Sequence, residues 1–220
     1  MERVLCVLIG YVFGLFQTGY IYGKVKKIDI RQHGSGNAGT TNALRVMGKK
    51  AGLITLLGDC IKAILACVVS ALIFKDSELP GKLLALYGGL GAVLGHNFPF
   101  YLKFKGGKGI ATTFGVFMVA DPICTSILFV ILFITLYFIK IGSLVSLLFI
   151  ISEAIYQMFR KTMEGNWIAL VIMCLIVLLD VWCHRQNIVR LIENRENPAD
   201  LQEGLKKDIE KIKNKREKKL

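Results

Sequence analysis

Six stretches of this chain are apolar over close to the length a helix needs to cross a lipid bilayer. They are residues 4–22, 51–74, 83–98, 123–139, 144–159 and 167–183. A spanning helix takes roughly 17–25 apolar residues, and a water-soluble fold has no core large enough to hide six such runs. Hydrophobic residues make up 54% of the 220 positions, above the roughly 45–50% of soluble domains even with glycine counted. A seventh run, residues 110–120, is too short to cross as an ordinary helix and stops at Asp121-Pro122. A short or broken helix of this kind is tolerated only where protein shields it or where it lines a cavity. The expected fold is an all-α integral membrane protein, a seven-helix transmembrane bundle that includes one short helix.

The formal charge of +12 would suggest nucleic acid in a soluble protein, but here the basic residues cluster beside the spans, where anionic lipid and the positive-inside rule account for them. No nucleic-acid partner is expected. With seven crossings and the N-terminus outside, one side carries 22 Lys and Arg and the other only five, with Lys62 left inside a span. The bias therefore predicts an outside N-terminus and a cytoplasmic C-terminus. The first run has no small-residue cleavage site after it, so it reads as a retained helix. Cys6, Cys60, Cys67, Cys124, Cys174 and Cys183 all lie in or beside apolar runs without a Cys-x-x-Cys pair, which argues for small hydrophobes rather than disulfides or zinc ligands. Residues 1–198 form the expected membrane domain. Residues 199–220 form a basic cytoplasmic tail whose charges alternate at helical spacing from Leu201.

This topology brings three polar islands to the cytoplasmic side. The first is GSGNAGTTNALR, residues 34–45. Its glycines permit left-handed backbone, and successive amides in such turns converge on anions. Ser35, Asn37, Thr40, Thr41 and Asn42 offer neutral donors, Gly36 and Gly39 offer backbone amides, and Arg45 offers a fork suited to phosphate. The stretch is not a Walker A loop, because no Gly-Lys-Ser/Thr follows at the required spacing. The second island, GHNFPFYLKFKGGKG at residues 95–109, sets His96 at a helix end and places Lys108 between Gly107 and Gly109. A lysine flanked by glycines is a mobile point charge beside exposed amides. The third, HRQNIVRLIENREN from His184, begins where the last run ends and contains Asn187. Arg185, Arg190 and Arg195 there also suit a tail lying on anionic lipid.

Ser143 follows Gly142 at a span end on the same side. Asp59 and Lys62, three residues apart on one helical face, read as a buried pair, and Glu153 and Asp180 read as buried hydrogen-bonding groups. Three histidines without carboxylate clusters make no metal site, and no cofactor is expected. There is no Gly-x-Ser-x-Gly elbow and no His followed by Asp across a four-residue gap. A transporter of phosphorylated solutes would set its cations near the bilayer midplane, whereas these gather at one interface. A purely structural, lipid-binding protein leaves the hydroxyls and amides of the first island unexplained.

Taken together, GSGNAGTTNALR, GHNFPFYLKFKGGKGIATTFG and HRQNIVRLIENRE, with GDCIK in the second run, resemble the motifs of the acyl-phosphate-dependent glycerol-3-phosphate acyltransferases of bacteria, the PlsY family. The resemblance covers the chain to about residue 198 and depends on the three motifs occurring in order. It implies a multi-pass enzyme of the inner or plasma membrane with its active site at the cytoplasmic face. It implies acyl transfer from acyl phosphate to the 1-hydroxyl of glycerol 3-phosphate, giving lysophosphatidic acid and phosphate. By motif position, Ser35, Gly36, Asn37, Gly39, Thr41, Asn42, Arg45, Gly107 and Lys108 bind substrate phosphate, and His96, Lys108, Ser143 and Asn187 complete the reaction site. The base is either His96 or the substrate's own phosphate. Pathway logic adds the soluble enzyme that makes acyl phosphate as a partner. Asn194 departs from the glycine usual in the family, and asparagine is the residue next most tolerant of left-handed backbone.

Overall fold

A computed structural model describes residues 1–163 and 165–196. The expected tail, its helix from Leu201 and its partner role lie outside the described residues. The helices are α1 (Glu2–Gly14), α2 (Thr18–Val25), α3 (Thr40–Met47), α4 (Lys49–Ile73), α5 (Gly81–Asn97), α6 (Ile110–Ala120), α7 (Pro122–Ile139), α8 (Gly142–Met163), α9 (Trp167–Cys183) and α10 (Arg185–Ile192), with single 3-10 turns at Ile30–Gln32 and Phe100–Leu102. Among the described residues there is no strand.

Among the described residues four segments are long and apolar enough to cross a bilayer: Glu2–Val25, Lys49–Ile73, Pro122–Ile139 and Gly142–Arg160. A fifth forms if α9 is joined to α10 through their 57° bend. Helix α5 is a 17-residue helix held inside the bundle. Helix α6 has 11 residues, about 16 Å of rise, and is the short helix expected there. Asp121 ends it, and its side chain caps α7 at the Cys124 amide (3.4 Å), accepts from the Tyr156 hydroxyl (2.6 Å) and pairs with Arg160. Val93, Val116, Phe117, Ile150, Met173 and Ile176 form the buried centre. Helix α7 turns Ile127, Val130, Ile131 and Ile134 outward, as a lipid-facing helix does. All six cysteines are free thiols.

The first run departs from the single helix expected over residues 4–22, because the chain breaks between Gly14 and Thr18. A break inside a bilayer leaves carbonyls that water cannot reach, so neighbours must satisfy them. Here Gln17 Nε2 donates to the Gly14 carbonyl (3.2 Å), the Tyr101 hydroxyl to Leu15 (2.7 Å) and Lys62 Nζ to Phe16 (2.7 Å). The same Gln17 nitrogen also reaches the His96 carbonyl at 2.9 Å, which ties the break to the end of α5.

Glycine lets α1 and α5 approach until backbone meets backbone. A Cβ on Gly10 would strike the Gly88 carbonyl, one on Gly14 the Ala92 carbonyl, one on Gly91 the Val7 carbonyl and one on Gly95 the Tyr11 carbonyl. Gly10 and Gly14, like Gly91 and Gly95, have the four-residue spacing that brings membrane helices close. Gly10→Leu is therefore expected to cost on the order of 3 kcal/mol, the upper range for overpacking. Thermal unfolding in detergent checks this, and an unchanged midpoint would contradict the packing.

Candidate active site

The first island folds around Asn42, which is 2% exposed. Its Nδ2 donates to the carbonyls of Ile30 (3.1 Å), His33 (3.0 Å) and Asn37 (2.8 Å), and its Oδ1 accepts from the Ser35 amide (2.9 Å). Asn37 Oδ1 accepts from the Gly39 amide (2.8 Å), and the Gly36 amide donates to the His33 carbonyl (3.1 Å). The amides of Ser35, Gly36 and Gly39 are thus spent on shaping the loop, which differs from the expectation that they and Asn42 face an anion directly. What the loop presents is the start of α3. Gly39 caps it without a side chain, and its first-turn amides have no partner within the helix. Ser35 and Thr41 are exposed beside that end, and Arg45 follows Thr41 by one turn on the same face.

The second island doubles back on the end of α5. Lys103 and Phe104 take left-handed backbone (φ 55° and 58°). The Gly106 amide donates to the Asn97 carbonyl and the Gly107 amide to the His96 carbonyl, each at 3.1 Å. Asn37 Nδ2 donates to the Gly106 carbonyl at 3.3 Å, so islands one and two touch directly. His96 is 3% exposed. Its Nδ1 lies 2.8 Å from Lys62 Nζ, and its Nε2 lies against Gly107, where a Cβ would collide with it. Gly109, at φ 91°, caps α6, and its missing side chain leaves room for Asp180 Oδ1. Asp180 is buried as expected, accepting from Thr113 Oγ1 (2.6 Å) and Asn97 Nδ2 (3.3 Å). Glu153 is buried too, beside Thr125 and Gln157.

Lys108 joins island two to island three. Its Nζ donates to Asn187 Oδ1 at 2.5 Å, and Asn187 Nδ2 donates onward to Glu196 Oε1 at 2.7 Å. Arg190 Nε donates to Glu196 Oε2 at 2.7 Å. Glu196 reaches this position because Asn194 turns left-handed (φ 53°), as its tolerance for that conformation predicts. Burial pushes the Lys108 ammonium down to about 8; the charges of Arg190 and Arg45 add to the fall, while Glu196 opposes it. Burial alone would raise Glu196, but the hydrogen bonds from Arg190 and Asn187 outweigh it and hold the carboxyl below its usual range. Burial, with the charge of Lys108, pushes His184 down to about 4, so its ring is neutral at physiological pH. The Ser143 hydroxyl is buried at the start of α8, where it faces Glu196 and helps to hold that carboxyl low.

The structure therefore brings Lys108, Asn187, Ser143 and the charge of Arg45 together, and sets His96 and Gly107 one layer beneath. Glu196 closes the third motif in the sequence, but nothing in the motif's residue types assigned that carboxylate a role. Its available signal was the left-handed residue two positions before it. An apolar cleft lined by Cys67, Leu86, Val116, Val119, Ala169 and Met173 opens near Pro80 and Asn166, away from the polar islands.

A helical bundle with bilayer-length apolar helices and one polar, cation-rich end defines the class, an all-α integral membrane protein. A family model described as glycerol-3-phosphate acyltransferase matches residues 4–194. This chain is 39% identical to the glycerol-3-phosphate acyltransferase of Halalkalibacterium halodurans over 195 residues (88% of this chain, 93% of that one). It is 39% identical to that of Bacillus subtilis over 197 residues (89% and 97%). Its fold resembles the crystal structure of PlsY (YgiH), an integral membrane glycerol 3-phosphate acyltransferase, in the glycerol 3-phosphate form. The TM-score is 0.78 at 30% identity, covering 90% of this chain and 96% of that one. The lysophosphatidic acid form of PlsY matches with a TM-score of 0.76 at 31% identity (93% and 99%). The chain belongs to the glycerol-3-phosphate acyltransferase family.

Proposed function

We propose that this enzyme transfers a fatty acyl group from acyl phosphate to the 1-hydroxyl of glycerol 3-phosphate, releasing phosphate and lysophosphatidic acid. The observation that carries the reading is the seat of Lys108, a half-buried cation where the three polar islands meet, under the charges of Arg45 and Arg190. Two phosphate-bearing substrates need two anion seats. One is the start of α3 with Ser35, Thr41 and Arg45; the other is Lys108 with the first turn of α6, since helix starts and cations both favour phosphate. The acyl chain follows α6 toward the apolar cleft, which that short helix lines through Val116 and Val119. The solved glycerol 3-phosphate and lysophosphatidic acid forms of PlsY support the pairing of substrate and product.

In the reaction, the substrate hydroxyl attacks the acyl carbonyl carbon, the bond from that carbon to the bridging phosphate oxygen breaks, and the hydroxyl proton must leave. His96 is poorly suited to take it, because its Nδ1 faces Lys62 and its Nε2 faces Gly107. A phosphate monoester with a second pKa near 6 is largely dianionic at neutral pH and takes the proton itself. Lys108 neutralises the leaving phosphate, and Ser143 and Asn187 orient the reacting groups; acyl phosphate is reactive enough for positioning and charge to supply the rate. Asn37 and Asn42 hold the first loop in shape.

The profile of kcat/KM against pH is expected to be bell-shaped. The lower limb rises near pH 6, as the phosphate base loses its proton. The upper limb falls near pH 8, because a lysine whose pKa is lowered to about 8 is charged below that pH and neutral above it. Lys108→Arg, charged throughout, moves the upper limb to higher pH, and a limb that stays put removes Lys108 from the site. The donor is tested by offering palmitoyl phosphate and palmitoyl coenzyme A separately, with turnover expected from the first alone.

The proposed topology has seven crossings, counting α1 with α2 as one and α6 as another, with the N-terminus outside and the islands at the cytoplasmic face of the inner or plasma membrane. Single cysteines at exposed Lys103 and Lys75, labelled in intact cells with an impermeant reagent, test it. Labelling at 75 and protection at 103 are expected, and the reverse overturns the orientation.

A further inference from the structure

Beneath the Gly106–Lys108 turn sits an ion pair almost closed to solvent. Lys62 is 4% exposed and Asp59 is 2% exposed. Lys62 Nζ donates to Asp59 Oδ1 (2.8 Å), to the Phe16 carbonyl (2.7 Å) and to His96 Nδ1 (2.8 Å). An ammonium has three hydrogens and no lone pair, so these three bonds exhaust it. They run to α4 itself, to the break between α1 and α2, and to the end of α5. Thr18 Oγ1 adds a donor to the same Asp59 oxygen at 3.0 Å.

This arrangement decides the protonation of His96. Facing an ammonium, Nδ1 must be the bare acceptor, and the ring hydrogen must sit on Nε2. Asp59 Oδ1 lies 3.8 Å from Nδ1, beyond hydrogen-bond reach, so it does not draw a proton there. The ring so oriented lays Nε2 against Gly107, while the His96 carbonyl accepts the Gly107 amide at 3.1 Å. The turn therefore rests on His96 at two points before it presents Lys108 to Asn187.

We propose that Lys62 is a positioning residue for acyl transfer: it fixes the Nε2–H form and orientation of His96, and through that ring seats the Gly106–Gly107–Lys108 turn. The kinetic part rests on the acyl-transfer reading, while the state of the histidine stands apart from it. Lys62→Met alone strands the Asp59 carboxylate inside the bundle, and a lone buried charge threatens folding. The variant to use is Asp59→Asn combined with Lys62→Met, which removes both charges, keeps the shape at position 59 and shortens position 62 only by its terminal nitrogen.

The chain has three histidines, so 15N-histidine spectra of the wild type in detergent resolve His96 by difference from His96→Gln. The expected wild-type signal is an unprotonated Nδ1 with a protonated Nε2, held across neutral pH. In the double variant the two neutral forms mix, the unfolding midpoint stays near wild type, and kcat/KM falls by about tenfold or more, the scale of a displaced binding group. Lys62→Arg keeps the charge, but its planar fork cannot address three diverging acceptors, and it shows a similar loss. A protonated Nδ1 in the wild type, or wild-type kcat/KM in the folded double variant, overturns the proposal. If the double variant does not fold, the wild-type spectrum and the turnover of Lys62→Arg decide it.

Discussion

Replacing Gly107 with alanine is expected to lower kcat/KM for glycerol 3-phosphate by about 100-fold, the cost of moving a catalytic group by roughly 1 Å. The added Cβ has nowhere to go, since it would sit inside the His96 ring at Nε2. That ring cannot retreat, because Lys62 holds its other side and Gln17 holds its carbonyl at 2.9 Å. The turn must yield instead, and it carries Lys108 away from Asn187. The rest of the bundle keeps its packing, so the unfolding midpoint changes little while turnover collapses. Steady-state kinetics beside a melting curve separate the two effects, and a Gly107→Ala enzyme with wild-type kcat/KM would contradict the close fit of turn and histidine.

Lys108→Met is expected to be more damaging, with a loss on the order of 10²–10³-fold in kcat, the range for removing one preorganised charge stabiliser. Methionine keeps the hydrophobic stem and removes the ammonium that bonds Asn187 at 2.5 Å. Arg45 and Arg190 remain nearby and still attract substrate, so the loss falls more on kcat than on KM. A loss confined to KM would assign Lys108 to binding alone.

The apolar helices were legible in the sequence because length and hydropathy are written locally, and among the described residues four of them, or five with the bent pair, are long enough to cross a bilayer. The short α6 was legible for the same reason, with Asp121-Pro122 marking its end. The turn at Asn194 was legible because few residues accept left-handed backbone. The break between α1 and α2 was not. The groups that stabilise it, Lys62 and Tyr101, lie 46 and 86 residues from the carbonyls they satisfy, so no local pattern announces it. The residue types of the first island suggested phosphate donors, but composition does not say which way a donor faces. Asn42 spends its amide on Ile30, His33 and Asn37, which leaves the start of α3 as the part turned outward. His96 read as a base for the same reason: its partner Lys62 comes from another helix, and only the fold shows that Nδ1 is occupied.

Acyl transfer at a two-phosphate site around Lys108 is the activity on which the other predictions depend. It is tested most directly by supplying purified protein in detergent with palmitoyl phosphate and glycerol 3-phosphate, and following lysophosphatidic acid and inorganic phosphate together. Both are expected to appear in equimolar amounts, to depend on glycerol 3-phosphate, and almost to vanish in Lys108→Met protein of unchanged unfolding midpoint. Phosphate released without lysophosphatidic acid, no turnover by folded protein, or full activity in Lys108→Met would contradict it.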